Sequence, residues 1–272
     1  MRLALKTLAL LAATFSVSAT ASQPDGKGEI CTAPPASGTN ALTAREKAQG
    51  WKLLWDGKTS KGWRSASAPG FPEKGWTMCG GVLTIGASDG EESRGGGDII
   101  TIDRYSDFEL LFDFRITPGA NSGVKIFVQT DISPIDRLTG KPTPIGSGIG
   151  MEFQLLDDAR HPDAKAGRDG NRTIGSFYDV IPASADKQVL APGNWNRGRI
   201  VSEAGRVTFY LNGRKTVDFL RGSPDFSAAV SGSKFRNIDG FGEWPDGHIL
   251  LQDHGDTVSF ANLKIRKLGA GK

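Results

Sequence analysis

Three histidines are the whole imidazole complement of this 272-residue chain, and two of them stand among carboxylates and amides. Gln252-Asp253-His254-Gly255-Asp256 holds one. Asp157-Asp158-Ala159-Arg160-His161-Pro162-Asp163 holds another, just after Glu152-Phe153-Gln154. An imidazole titrates near neutral pH, and a carboxylate serves as a base or a cation ligand, so these residues are candidates for proton transfer or metal binding. His248 precedes the apolar Ile249-Leu250-Leu251 and reads as structural.

Side chains alternate across a strand. Over Gly150 to Leu156 that sends Met151, Phe153 and Leu155 to one face, fit for a core, and Glu152, Gln154 and Leu156 to the other. The same alternation pairs Gln252 with His254 and turns Asp253 away. An imidazole beside an amide on a sheet face is a base, a metal ligand or a sugar-binding group; the plain alternative is a solvated strand and a histidine bonded to a loop carbonyl. Asp157-x-x-x-His161 offers one oxygen and one nitrogen ligand, in no fixed metal motif. Flat rings suit the C–H faces of a pyranose. Tyr178 and Trp195 are therefore candidate platforms, with Trp63, Trp76, Trp244 and Phe177, against the commoner role of core packing. A nucleophile elbow, a glycine-rich phosphate loop and a Cys-x-x-Cys are all missing, and no nucleotide cofactor is expected.

Short strands must position these groups. Phe108, Leu110, Phe112, Phe114 and Ile116 alternate with Glu109, Asp113 and Arg115, a period of two with one buried face. Asn212-Gly213 between Arg206–Leu211 and a second alternating run ending at Phe219 predicts a tight hairpin. Further strands are expected over Val82–Ile85, Asp98–Ile102, Gly123–Gln129, Ile149–Leu156, Asn194–Ser202, Gly247–Gln252 and Val258–Lys267. Glycine, 36 of 272 residues, is about twice the usual share, as many tight turns require. The fold class is all-β: a two-sheet antiparallel sandwich with one short helix from about Ala44 to Gln49, marked by a Thr43…Glu46 capping box and Gly50. Two long irregular segments, Thr130 to Ser147 and Asp157 to Arg172, break the pattern, and the second is dense in chemically capable groups.

Residues 1–21 read as an export leader, with Arg2 and Lys6, an apolar run too short to span a bilayer, and Ala19-Thr20-Ala21 before Ser22. Residues 22–42 read as a flexible arm, 43–268 as the β-sandwich domain and 269–272 as a tail. Removing the leader lowers the formal charge from +3 by its two positive residues. A near-neutral chain gives no argument for nucleic acid, and no membrane insertion is expected. Cys31 and Cys79 are the only cysteines, and an even count in an exported chain predicts one disulfide. The expected location is the periplasm or outside the cell.

Ordered blocks then resemble one family. Trp51-Lys52-Leu53-Leu54-Trp55-Asp56-Gly57-Lys58 with Gly62-Trp63 is similar to its opening signature. Asn121-Ser122-Gly123-Val124, Glu152-Phe153-Gln154-Leu155-Leu156-Asp157, Gly193-Asn194-Trp195-Asn196, Leu211-Asn212-Gly213 and Leu251-Gln252-Asp253-His254-Gly255 follow in order. The chain resembles the 3-keto-disaccharide hydrolase domain family from about Trp51 to Leu268. One departure is the stretch after Gly123, which reads Val124-Lys125-Ile126-Phe127 where many relatives carry an arginine. The resemblance implies a concanavalin A-like jelly roll acting on glycosides oxidised to a ketone at C3. It also implies an upstream sugar 3-dehydrogenase as pathway partner and a small-molecule glycoside as ligand.

A C3 ketone acidifies the C2 proton; its removal gives an enediolate that expels the C1 substituent. That route needs a base and an electrophile at the ketone oxygen, for which a divalent metal ion is one candidate. The residues expected to act are His254, His161 and Glu152 as catalytic groups, and Gln154, Gln252, Asn121, Trp195 and Tyr178 toward substrate. Glu152, Asp157 and His161 are the candidate metal ligands. The rivals are a non-catalytic carbohydrate-binding module, which the same fold supports, and a conventional glucanase. The latter needs two carboxylates across a cleft, where the Glu152 strand shows one.

Overall fold

Alternating runs bury one face each, and two such faces close on each other. The computed structural model describes residues 31–36, 39–88, 91–130, 135–142 and 148–269. The expected leader, the start of the arm and the last tail residues lie outside the described residues. In chain order the elements are α1 (Ala44–Ala48), β1 (Lys52–Leu53), β2 (Trp63–Ser65), β3 (Trp76–Cys79), β4 (Val82–Ile85), β5 (Ile99–Thr101) and β6 (Phe108–Ile116). There follow β7 (Asn121–Gln129), β8 (Ile149–Leu156), β9 (Asn196–Glu203), β10 (Arg206–Leu211), β11 (Arg214–Leu220), α2 (Pro224–Ser231), β12 (His248–Leu251) and β13 (Val258–Lys267).

One sheet runs β11-β10-β9-β6-β13-β4-β3, with β1 also on β13; the other runs β2-β5-β12-β7-β8. Their inner faces supply a single main core. Phe112 of β6 meets Phe153 of β8 edge-on at 5.5 Å, and Phe153 meets Phe209 of β10 at 5.2 Å. Met151, Phe153 and Leu155 are fully buried in this core, as their alternation requires. Losing such a phenyl ring to Ala typically costs ~3–5 kcal/mol. This is the two-sheet jelly-roll sandwich of concanavalin A-like type.

Asn212 (φ 49°) and Gly213 (φ 83°) turn β10 into β11 in the left-handed conformations that a tight hairpin demands. Thr43 and Glu46 form the reciprocal capping box of α1. Cys31 and Cys79 are joined. The described part of the expected flexible arm is not loose. Besides the disulfide, Asn40 and Asn262 exchange N–H···Oδ1 bonds of 2.7 and 3.0 Å, and Asn40 Nδ2 donates to the Gly81 carbonyl. Helix α2 was not expected, although Ser223 caps it and Pro224 opens it, a legible start signal. No helix among the described residues is long and apolar enough to cross a membrane.

Candidate active site

The outer face of the five-stranded sheet carries a cavity of about 320 Å³. β7 lies between β8 and β12, so the strand of Glu152 and the strand leading to His254 are not neighbours. The middle strand makes room instead. Gly123 stands opposite Gln154 in register and accepts the N–H of Gln252 at 3.0 Å. A Cβ on Gly123 would run into the Glu152 carboxylate. The glycine of Asn121-Ser122-Gly123 is thus the floor over which Glu152, Gln154 and Gln252 converge.

An ordered amide relay leads to the imidazole. Gln154 Nε2 donates to Asn121 Oδ1 at 3.0 Å, and Asn121 Nδ2 lies 3.3 Å from His254 Nε2. With the amides assigned this way, His254 Nε2 is the acceptor. Gln154 Oε1 and Gln252 Oε1 are buried without a hydrogen-bond partner. An unpaired buried acceptor typically costs ~1–3 kcal/mol, a cost that a ligand hydroxyl donating to it removes. Both atoms belong to residues that line the cavity.

Glu152 is the buried charge of the site. Burial raises its pKa, and Lys125, Lys234 and His254 oppose that rise. Lys125 is its cross-strand partner in the β7–β8 register and is itself buried. Lys234 follows α2; its Nζ lies 4.3 Å from the Tyr178 ring centroid and 5.1 Å from that of Phe235. Desolvation lowers the pKa of Lys234 against the pull of Glu152, which makes it a stronger acid than an exposed lysine.

The segment after β8 forms the wall. Its backbone adds to the sheet edge: Gln154 N–H donates to Ser176 O, and Tyr178 N–H to Glu152 O. Arg172 ties it together, donating to Asp163 at 2.8 Å and Asp179 at 2.6 Å. Tyr178 reaches the cavity with its pKa raised by burial and by its hydrogen bond to Asp163. His161 caps a 3-10 turn at Pro162–Lys165, and its Nδ1 accepts Asp163 N–H at 3.2 Å. Its ring lies 6.4 Å from that of His254, nearly perpendicular.

Glu152, Gln154, Gln252, His254, Asn121 and Tyr178 therefore share the cavity, with His161 beside it. Trp195 does not. It directly precedes β9 of the other sheet, where Nε1 donates to Ala33 O and Arg115 covers its ring. Asp157 is also withdrawn from the cavity: Oδ2 accepts Gly119 N–H and Arg160, and Oδ1 accepts Ala159 N–H. Its role is to hold the loop. The candidate metal trio of Glu152, Asp157 and His161 is not assembled, because Asp157 and His161 Nδ1 already have partners. No group of three or more His, Cys, Asp or Glu among the described residues is placed to hold a metal ion. The donor set does not fit a protein-held cation of that kind.

Three ionisable lining residues, Lys125, Lys234 and Glu92, are not among the residues that the sequence pattern singles out. Lys125 was legible, since alternation puts it with Asn121 and Gly123. Lys234 depends on α2. Glu92 arrives from the segment between β4 and β5 and accepts a 3.4 Å bond from Gln252 Nε2, giving the cavity a second carboxylate.

The cavity thus sets two buried amide oxygens beside a buried carboxylate and its lysine partner on one outer face of a jelly-roll sandwich. Residues 50–266 match the 3-keto-alpha-glucoside-1,2-lyase-like domain, and the chain belongs to that family. It is 31% identical over 237 residues to a 3-keto-disaccharide hydrolase of Bacteroides thetaiotaomicron, covering 81% of this chain and 79% of that protein. A crystal structure from Parabacteroides distasonis, provisionally designated a glycosyl hydrolase, aligns with a TM-score of 0.69 at 30% identity, over 85% of this chain and all of the other. A second from the same organism, designated likewise, aligns at 0.56 and 30% identity, over 80% and 99% of the two chains.

Proposed function

We propose that this chain is an exported enzyme that cleaves 3-keto-glycosides, 3-keto-disaccharides among them, by C2 proton removal, elimination of the C1 substituent and hydration. Family membership supports the coarser statement, a glycosidase of the 3-keto-disaccharide hydrolase family. The observation that carries the finer one is the buried Glu152 with raised pKa, facing Lys125 across the strand and set among unpaired glutamine acceptors.

Gln154 and Gln252 accept sugar hydroxyls. Glu152 takes the C2 proton, and the electron pair moves toward the C3 oxygen, whose charge Lys125 stabilises. The enediolate breaks the C1–O bond, and the leaving oxygen takes a proton from Lys234. Water then adds its oxygen to C1 and returns a proton to Lys234, while Glu152, its captured proton first exchanged with solvent as the leaving group departs, returns a solvent-derived proton to C2. His254, oriented by Asn121, and His161 hold hydroxyls at the mouth; His161 Nδ1 is engaged by Asp163 and is poorly placed as a base. The Cys31–Cys79 disulfide supports export, since such bonds persist in oxidising compartments. N-terminal sequencing of the mature protein should start near Ser22. A sugar 3-dehydrogenase would supply the substrate.

Glu92 favours one second reading, ordinary hydrolysis by two carboxylates. Incubation with 3-keto-trehalose, 3-keto-lactose and their unoxidised parents separates them. Elimination requires the ketone; cleavage of the parents at equal rates supports direct hydrolysis.

A further inference from the structure

The outer face of the five-stranded sheet changes character along its strands. β7 runs opposite to both β8 and β12, and the registers set the levels: Asn121 with Leu156, Gly123 with Gln154, Lys125 with both Glu152 and Leu250. His254 and Asn121 thus mark one end, and Glu152 and Lys125 the middle. Beyond them, Val128, Leu250 and Ile100 form a fully buried apolar cluster on this outer face. Gly148 and Gly150 let the chain lie directly on it, since a Cβ on Gly148 would meet Val128 and Leu250, and one on Gly150 would meet Val128.

Among the described residues, the cavity at that end is bounded by Gly148, Ile149, Gly150, Phe235 and Ile238, none of which has a hydrogen-bonding side chain. Phe235 is held in place by stacking on Phe241, 4.2 Å between centroids and 6° between planes. Backbone bonds fix Ile238: its N–H donates to Phe235 O, and it bridges to Asp136. Sugar hydroxyls lowered into this end would lose water without gaining partners, whereas the unpaired acceptors of Gln154 and Gln252 lie toward the opposite end. Lys234, beside Phe235, stands where the two halves meet. The lining acids Glu92 and Glu152 are matched by Lys125 and Lys234, so neither half calls for a charged ligand.

We propose that the Ile149–Phe235–Ile238 end is an aglycone subsite for uncharged aromatic or alkyl groups, making aryl and alkyl 3-keto-glucosides the preferred substrate class over 3-keto-disaccharides. The inference rests on the reading of the cavity as a 3-keto-glycoside site. Sugar-ring contacts stay at the glutamine end, and the bond to be broken lies between the two halves, next to Lys234.

The test compares phenyl 3-keto-glucoside with 3-keto-trehalose in the full mature chain and in Ile238→Asp, with Phe235→Leu as a milder second variant. Wild type should favour the phenyl substrate in kcat/KM by about tenfold or more, the scale on which an apolar pocket discriminates. Ile238→Asp should erase that preference through KM, lowering kcat/KM for the phenyl substrate by about tenfold more than for 3-keto-trehalose. Equal losses on both substrates, or a wild-type preference for 3-keto-trehalose, would overturn the subsite. Titration calorimetry with unoxidised phenyl glucoside and methyl glucoside reads the same subsite without turnover. Tighter phenyl glucoside binding that weakens in Ile238→Asp supports it, and indistinguishable binding overturns it. Inactivity on both 3-keto substrates with selective phenyl glucoside binding intact would instead refute the catalytic reading and leave the subsite standing.

Discussion

Both sheets bury carboxylates on their outer faces, and they treat them in opposite ways. On the eight-stranded sheet, Asp113 receives a two-pronged bond from Arg197 at 2.6 and 2.9 Å and a third from Asn262 at 2.7 Å. Glu109 is likewise held by Arg199 and Arg266. Those carboxylates are saturated by rigid, permanently charged forks and have nothing left to offer a ligand. On the five-stranded sheet, Glu152 faces lysines, whose protons can move, and its neighbours Gln154 and Gln252 keep buried oxygens without partners. Similar strand positions yield a brace on one side and a reaction site on the other. The difference lies in whether bonding capacity is filled.

The largest effect should come from exchanging roles across that contrast. Glu152→Gln should lower kcat on a 3-keto-glycoside by ~10²–10⁴ while leaving the melting temperature close to wild type. Asp113→Asn should do the reverse, costing about 1.5–3 kcal/mol of stability in denaturant titrations with kcat unchanged. A stability loss in the first and an activity loss in the second would erase the distinction.

Gly123→Ala comes next. The added methyl must displace the Glu152 carboxylate, so kcat should fall by about tenfold or more, in line with the sensitivity of catalysis to small misplacements, while substrate affinity changes less. Unaltered kcat would mean that Glu152 need not sit where it does.

The pH profile sharpens the contrast further. Glu152 has a raised pKa, so the base form is lost, as pH falls, earlier than for an ordinary glutamate. Lys234 has a lowered pKa, so the acid form is lost, as pH rises, earlier than for an ordinary lysine. The log kcat/KM profile should be a bell narrower than those ordinary values imply, and Lys234→Arg should move its alkaline limb upward. A limb that stays in place removes Lys234 from proton donation.

A smaller, purely structural effect concerns Asp98, whose Oδ2 is buried without a partner and whose pKa burial raises to about 7 against the pull of Lys125, with Glu92 and Asp253 adding to the rise. A carboxyl with a raised folded-state pKa stabilises the fold below its unfolded value, and that stability is lost as pH rises through about 7. Asp98→Asn should therefore gain on wild type in melting temperature between pH 5 and pH 8; a pH-independent difference would show that Asp98 does not titrate there.

Much of this arrangement was legible in the sequence because it rests on local rules. Alternation alone assigned Glu152 and Gln154 to one face and Met151, Phe153 and Leu155 to the other. It also separated His254 from Asp253, whose carboxylate does turn away to accept Gly96 and Gly97 N–H. Asn212-Gly213 and the Thr43–Glu46 box are equally local. What stayed hidden was set at long range. Glu92, Lys234 and Phe235 reach the cavity from segments with no period of their own, and Trp195 was drawn off by the arm that Cys31 anchors. The metal trio failed for a similar reason: spacing brought Asp157 and His161 near each other, but backbone N–H groups took their lone pairs.

The most direct test of Glu152 as the C2 base is cleavage of a 3-keto-glycoside in heavy water, followed by NMR at early times with an enzyme-free control. The account predicts solvent deuterium at C2 of the released 3-keto sugar, lost together with cleavage in Glu152→Gln. Product whose C2 carries only its original hydrogen, formed at the full wild-type rate, would contradict elimination and point to direct displacement at C1.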